Sequence, residues 1–374
     1  MQDTRMLLAC LIAAGTSAVM MFLLRRLAIP LGLVDHPDER KQHSGKVPLV
    51  GGLAIFFGVI AGAFWHGQFH VFTKTLLCTS TVLVVLGALD DRFDLSVQAR
   101  LLVQTSMILL LIAITGVYIH TLGHFFGLEI ELGWVGVPFT VVAVIGLLNA
   151  FNMMDGIDGL AGGLALVSIA AILLFAGPNA ARGSIVLLGL MTTAALPFLT
   201  ANLGIMGRKV FMGDAGSMAI GYLLAWTLIR LSQTPGTHLT PTDVLWCVAL
   251  PVLDTLAVMY RRMRQGKSPF KPDRGHVHHI LLRTGMGPRA TLLALVALAA
   301  SIAFLGTVIH AAHLGPGSNL TAFCIFGVIY IVFVTRTWMR QETHQLTLRK
   351  VAAANDDSIA GAEGIQNTQP GSAD

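Results

Sequence analysis

Charge is what this chain has least of. Only 12% of its 374 residues are Asp, Glu, Lys or Arg, against 54% hydrophobic, and the mean hydropathy is +0.71. So few polar residues cannot cover the surface of a water-soluble protein of this length, which excludes a soluble globular enzyme. Cysteine is scarce too. Cys10, Cys78, Cys247 and Cys324 stand singly in apolar runs, without the paired spacing of a disulfide framework or a zinc site, and read as packing residues. No Walker loop and no GxGxxG are present, so neither ATP hydrolysis nor a dinucleotide fold is indicated. No internal repeat is visible, and with it the inverted-repeat signature of many transporters is missing.

What is present is a succession of apolar runs, at about residues 6–24, 50–65, 73–89, 97–118, 134–149, 160–176, 183–201, 216–231, 243–260, 290–312 and 319–338. Runs of this kind are read as bilayer-spanning helices. The fold expected is therefore all-α, a polytopic integral membrane protein with about eleven transmembrane helices over residues 1–340. The segment 341–374 is polar, small and aperiodic, and is expected to be a disordered cytoplasmic tail. The first run is followed by Arg25 and Arg26 rather than a cleavage site, so it reads as an uncleaved helix. Alternating from there, only Arg5, Lys74, Arg182 and Arg230 of the 25 Lys and Arg residues fall outside. By the positive-inside rule this puts the N-terminus outside and the C-terminus in the cytoplasm. The net charge is +5 and the pI near 9.2, but the basic residues fall where this rule puts them, so no nucleic-acid partner is implied.

This topology gathers the unusual polar residues on the cytoplasmic face. One run ends in GALDDRFD with Asp90, Asp91 and Asp94, and another in NAFNMMDGIDGL with Asn149, Asn152, Asp155 and Asp158. FMGDAGS carries Phe211 and Asp214, and the loop YRRMRQGKSPFKPDRGHVHH carries Arg274, His276, His278 and His279. Abutting carboxylates repel, which raises one pKa unless a cation compensates, so one of Asp90 and Asp91 can act as a base and the other beside a metal. Asp155 and Asp158 share a face if the backbone there is helical, and Gly156 and Gly159 permit close approach. A carboxylate at Asp214 suits Mg²⁺, which takes a few hard oxygens and leaves the remaining positions to water or phosphates. Imidazoles and guanidinium groups suit pyrophosphate oxygens and sugar hydroxyls; HVHH is not the HExxH of a zinc hydrolase. Acids, Mg²⁺ and basic groups at a lipid surface point to phosphoryl transfer, with a lipid phosphate as acceptor. An ion-coupled transporter would place its acids near mid-span. A membrane prenyltransferase would show a second acidic diphosphate motif.

The stretches LVDHPDERKQHSGKVPLVGG, GALDDRFD, NAFNMMDGIDGLAGG, KVFMGDAGS and SPFKPDRGHVHH run in this order from Leu33 to His279. In them the chain resembles the polyprenyl-phosphate N-acetylhexosamine-1-phosphate transferase family. The resemblance implies transfer of GlcNAc-1-phosphate from UDP-GlcNAc to undecaprenyl phosphate, giving undecaprenyl-diphospho-GlcNAc and UMP. It implies the bacterial inner membrane, an initiating role in O-antigen or related lipopolysaccharide synthesis, and Mg²⁺ as cofactor with Mn²⁺ as a substitute. A homo-oligomer is compatible with it. By motif position, Asp90 is the expected base for the lipid phosphate with Asp91 beside it. Asn152 and Asp214 are the expected metal ligands, with the contacts among Asp91, Asp155 and Asp214 left open. Asp158 and Phe211 match positions tied to uracil, and Arg274, His276, His278 and His279 the sugar-diphosphate side. Family members that transfer phospho-MurNAc-pentapeptide, the alternative reading, carry three consecutive histidines where this chain has HVHH. The sequence leaves open which of Arg40, Lys41, His43 and Lys46 meets a phosphate, and whether attack is direct or passes through an aspartyl intermediate.

Overall fold

The computed structural model describes residues 2–35, 46–67, 70–125, 127–177, 181–205, 207, 209–234, 236–268, 273 and 275–366. Its helices are α1 Gln2–Leu31, α2 Gly51–His66, α3 Val71–Phe93, α4 Val97–Thr115, α5 Gly136–Met154, α6 Leu160–Ala176, α7 Arg182–Asn202, α8 Gly213–Gln233, α9 Pro241–Cys247, α10 Ala249–Arg264, α11 Val277–Arg283, α12 Pro288–Ala311 and α13 Gly315–Gln366. The only strands among the described residues form two small antiparallel pairs, Val34–Asp35 with Val47–Pro48 and Thr121–Phe125 with Leu128–Glu131. The protein is an all-α polytopic membrane protein. α13 continues helically past residue 340, where the sequence reading began a tail without structure.

Among the described residues eight helices are long and apolar enough to cross a membrane, and α9 with α10 makes a ninth if the bent pair is one span. The expected runs near 50–65 and 160–176 correspond to α2 and α6, which are shorter. At 1.5 Å per residue they reach about 24–26 Å, less than the ~30 Å hydrocarbon core. The run expected as one span over 243–260 is broken instead, bending by 83° between α9 and α10. Pro251 is the cause: lacking an N–H, it cannot donate to the Cys247 carbonyl one turn back, and its ring crowds that turn. A capping box at Thr240 with Asp243 starts α9 separately.

α8 is the axis of the bundle. Of its apolar window 89% is buried, against 17% for α4, and α2, α3, α5, α6 and α9 pack around it. Its N-terminal half is rich in small residues, Gly213, Ala215, Gly216, Ala219 and Gly221, which let neighbouring backbones come close. A Cβ at Gly87 of α3 would lie 2.5 Å from the Ala215 Cα, and one at Gly221 would lie 2.8 Å from the Leu148 Cα of α5. Gly52 of α2 meets Gly216 backbone to backbone. Some polar side chains inside the bundle pair with one another: Tyr222 donates to Thr79 at 3.0 Å and Trp246 to Asn319 at 2.6 Å. The four cysteines are free. These glycine contacts bring the end of α3, the end of α5 and the start of α2 to the start of α8.

Gly87→Ala is expected to cost about 1–3 kcal/mol by overpacking, read as a lower apparent melting temperature in detergent. Gly146→Ala, where nothing lies within 4 Å of the added Cβ, leaves that temperature unchanged or raises it. Equal responses of the two variants would contradict the packing described.

Candidate active site

The start of α8 is held by a carboxylate from α3. Asp91 accepts the backbone N–H of Asp214 at 2.9 Å and, more loosely, that of Ala215 at 3.5 Å. A carboxylate is favoured there because the first N–H groups of a helix have no partner within it. Gly213 has φ +72° and its missing Cβ would fall 2.6 Å from Asp91 Oδ2, so both its backbone and its lack of a side chain are required. The Asp214 side chain then lies beside Asp90 and Asp91, and Asp35 is a further charge close to Asp91.

Asp90, next in α3, is buried and its two oxygens are engaged. One accepts from the Leu95 backbone at 2.8 Å and closes the turn into α4; the other accepts from Arg100 at 2.6 Å. The same Arg100 nitrogen is 3.8 Å from Asp214. Arg100 therefore stands between the first and third acidic motifs. Sequence reasoning missed it, because at the start of an apolar run it counted only toward the charge asymmetry.

The expected helical relation of Asp155 and Asp158 does not hold. α5 ends at Met154, residues 155–159 form turns, and Gly159 has φ +80°. The two carboxylates have different neighbours. Asp155 turns toward Asp91, and burial, then the charges of Asp91 and Asp158, push its pKa up to about 7. Asp158 pairs with Lys209 from the segment before α8. The two segments are bolted together by buried Asn202, which accepts from Gly159 N–H at 2.5 Å and donates to the Val210 carbonyl at 2.9 Å. Phe211, half-buried, is fixed by backbone hydrogen bonds to Pro48 and Gly51, both 2.9 Å. Asn152 is in the last turn of α5, its carbonyl accepting from Asp155 N–H.

The histidines form the roof. His278 is 1% exposed, its ring occupies the space a side chain at Gly156 would need, and neither ring nitrogen has a hydrogen-bond partner among the described residues. Burial, then His279 and His276, lower its pKa to about 3, so it is neutral at working pH. His276 is also buried, stacked on His278 with ring centroids 5.9 Å apart. Its Nδ1 meets Asp254 Oδ2 at 2.7 Å, and the other Asp254 oxygen accepts from Val277 N–H at 2.9 Å. Asp254, fully buried in α10, went unnoticed in the sequence because it stands alone among apolar residues. It fixes the entry of α11 and the orientation of the His276 ring. His279 is half-buried, its ring 4.1 Å from His278. Arg261 and Arg262 pair with Asp273 below this loop. Arg274, with Arg40, Lys41 and His43, lies outside the described residues.

The donors suit a hard cation. Asp91, Asp155 and Asp214 carry carboxylate oxygens, the hard donors such a cation takes, and burial with the charge of Asp91 raises the pKa of Asp155. Among the described residues no three His, Cys, Asp or Glu side chains already form a cage. Mg²⁺ needs none, since one or two carboxylates with waters and substrate phosphates suffice.

The raised pKa of Asp155 has a stability consequence. The folded carboxyl keeps its proton up to about pH 7, whereas the ordinary value is 3.8. Its contribution is full below pH 3.8 and is lost as pH rises through about 7. Cation-free protein is expected to melt at falling temperature over that window, and Asp155→Asn to flatten the slope. An unchanged slope in the variant would contradict the crowding.

A model of glycosyl transferase family 4 matches residues 73–232, from α3 through α8. The chain is similar to an undecaprenyl-phosphate α-N-acetylglucosaminyl 1-phosphate transferase of Yersinia pestis, 40% identical over 327 residues that cover 86% of this chain and 89% of the relative. The enzyme of that name in Escherichia coli strain K12 is 39% identical with the same coverage. The one in Haemophilus influenzae is 37% identical over 322 residues, 85% of this chain and 91% of the relative. Likeness of this extent, spanning the elements that carry the acidic cluster, places the chain in the family of these 1-phosphate transferases, glycosyl transferase family 4.

Proposed function

We propose that the protein transfers GlcNAc-1-phosphate from UDP-GlcNAc to undecaprenyl phosphate, yielding undecaprenyl-diphospho-GlcNAc and UMP. The observation that carries this reading is the meeting of Asp91, Asp155 and Asp214 with Arg100 at one end of a membrane bundle. It is where a lipid phosphate and a soluble sugar nucleotide can meet. The excess of Lys and Arg on the loops at that end supports a cytoplasmic site in the bacterial inner membrane, with the N-terminus outside and the C-terminus inside. An initiating role in O-antigen or related lipopolysaccharide synthesis fits that product.

In the reaction an oxygen of the lipid phosphate attacks the phosphorus bonded to GlcNAc. The bond from that phosphorus to the bridging oxygen breaks, and UMP leaves with the electron pair. Both reactants are anionic, so the chain's first task is to offset charge. Arg100 and Lys209 are the cations at hand, each now held by a carboxylate that a phosphate can replace. Asn152, Asp155 and Asp214 would hold Mg²⁺, or Mn²⁺ in its place, which supplies charge neutralisation to the diphosphate when bound. Asp158 and Phe211 sit on segments that Asn202 joins, which supports a shared role in holding uracil. The histidine layer, with His278 at its buried centre, closes the sugar side. A phosphate monoester has its second pKa near 6, so most of the acceptor is already a dianion at neutral pH. Asp90 is needed as a base for the protonated remainder. An acceptor that carries its own nucleophile favours direct attack.

Purified protein with undecaprenyl phosphate, labelled UDP-GlcNAc and Mg²⁺ is expected to give chloroform-soluble label and equimolar UMP, to lose both in EDTA and to recover them with Mn²⁺. Label that stays aqueous, or activity with UDP-MurNAc-pentapeptide alone, would overturn the proposal. For Asp90→Asn the expected loss is about 10²-fold at acidic pH, shrinking as pH rises past the second pKa of the lipid phosphate. A loss independent of pH would mean that Asp90 acts only by holding Arg100.

A further inference from the structure

The opposite end of α8 carries a second constellation, which the transfer reaction does not use. Arg230 lies about 24 Å along the helix from Asp214 at 1.5 Å per residue. It opens onto a cavity of about 620 Å³ whose walls include His70, Phe72, Tyr118, His120 and Gln233. The cavity is built, not incidental. Gln233 accepts from His120 N–H and Thr121 N–H and donates to the Thr121 carbonyl, all at 3.1 Å, fixing the loop after α4 as one wall. Ile119 N–H is tied to Thr140 at 2.9 Å. The Phe72 ring is set edge-on to Trp226, one turn before Arg230, and the guanidinium lies 4.4 Å above that ring.

Among the described residues no carboxylate in the cavity balances this charge. Arg230 has no carboxylate partner among the described residues, and no acid is among the residues lining the cavity. A half-buried cation without a counter-ion is costly, and the Phe72 ring offsets only part of that. Further donors face the same space. Val71 and Phe72 begin α3, where His70 provides no side-chain cap, leaving N–H groups of the first turn without a partner in the helix. The rim is apolar: Val71 is 63% and Ile114 53% exposed, at a depth where the helices on either side end. The surroundings thus call for an anion on one side and acyl chains on the other.

We propose that this cavity binds the phosphate of an anionic phospholipid headgroup, at the membrane face opposite the transfer site. Arg230 is the main contact, and the lipid chains lie along Val71 and Ile114. A free phosphate shares the headgroup chemistry but not the apolar rim.

The test is native mass spectrometry of the full-length protein, equilibrated in detergent with equal amounts of phosphatidylglycerol and phosphatidylcholine. Phosphatidylglycerol adducts are expected to dominate and to fall about tenfold in Arg230→Gln, the loss for one charge-assisted contact, with partial recovery in Arg230→Lys. Should Arg230→Gln not fold, the double variant His70→Ala/His120→Ala leaves α8 intact and is expected to weaken the same adducts. Equal retention of the two lipids, or adducts unchanged in these variants, would overturn the site. Thermal stabilisation by inorganic phosphate equal to that by phosphatidylglycerol, and lost in Arg230→Gln, would overturn the lipid and leave a free anion as the ligand.

Discussion

Everything at the transfer site depends on how closely backbones approach the first two turns of α8. Small residues on α8 meet Gly52, Gly87 and the backbone at Leu148. Helices that touch there must end near one another. The ends of α3 and α5 carry Asp90, Asp91 and Asp155, and α8 itself begins with Asp214. Glycine packing therefore forces like charges together at the edge of an apolar bundle, where each is expensive alone. The chain meets that cost in part with the α8 N-terminus on Asp91 and Arg100 on Asp90. What remains shows in Asp155, whose carboxyl holds a proton to about pH 7. A cluster left partly uncompensated is poised for a divalent cation and the phosphates that travel with it.

The same economy separates roles that the motifs alone leave merged. Asp91 is committed to a helix terminus and Asp90 to Arg100 and a turn. Asp155 and Asp214 remain the carboxylates most open to a cation. Asp158 faces Lys209 on another wall. In the histidine layer burial keeps His278 unprotonated, and Asp254 fixes the His276 ring. α8 also joins the two membrane faces, with Asp214 at one end and Arg230 at the other. Of its apolar window 89% is buried among the helices around it.

Much of this was legible in the sequence, for physical reasons. Long apolar runs declare helices in lipid, and FMGDAGS before such a run places Asp214 at a helix start. Charge scarcity makes each acidic motif conspicuous. The break at Pro251 was hidden because a continuous apolar run looks the same whether straight or bent. The turns at residues 155–159, which give Asp155 and Asp158 different partners, were hidden by reading their spacing as helix across Gly156 and Gly159. Arg100, Asn202 and Asp254 were invisible for a common reason: each is a single polar residue whose partner lies far away in sequence. Only the folded chain shows Asn202 joining Gly159 to Val210, or Asp254 reaching His276.

The central claim is that crowded carboxylates at the start of α8 form a divalent-cation site beside the sugar nucleotide. Electron paramagnetic resonance of Mn²⁺ titrated into the purified full-length protein with UDP-GlcNAc tests it without any need for turnover. The account predicts protein-bound Mn²⁺ that is lost when Asp155→Asn and Asp214→Asn are combined, and kept in Asp273→Asn, which lies in the loop before α11. Undiminished binding in the double variant would contradict it.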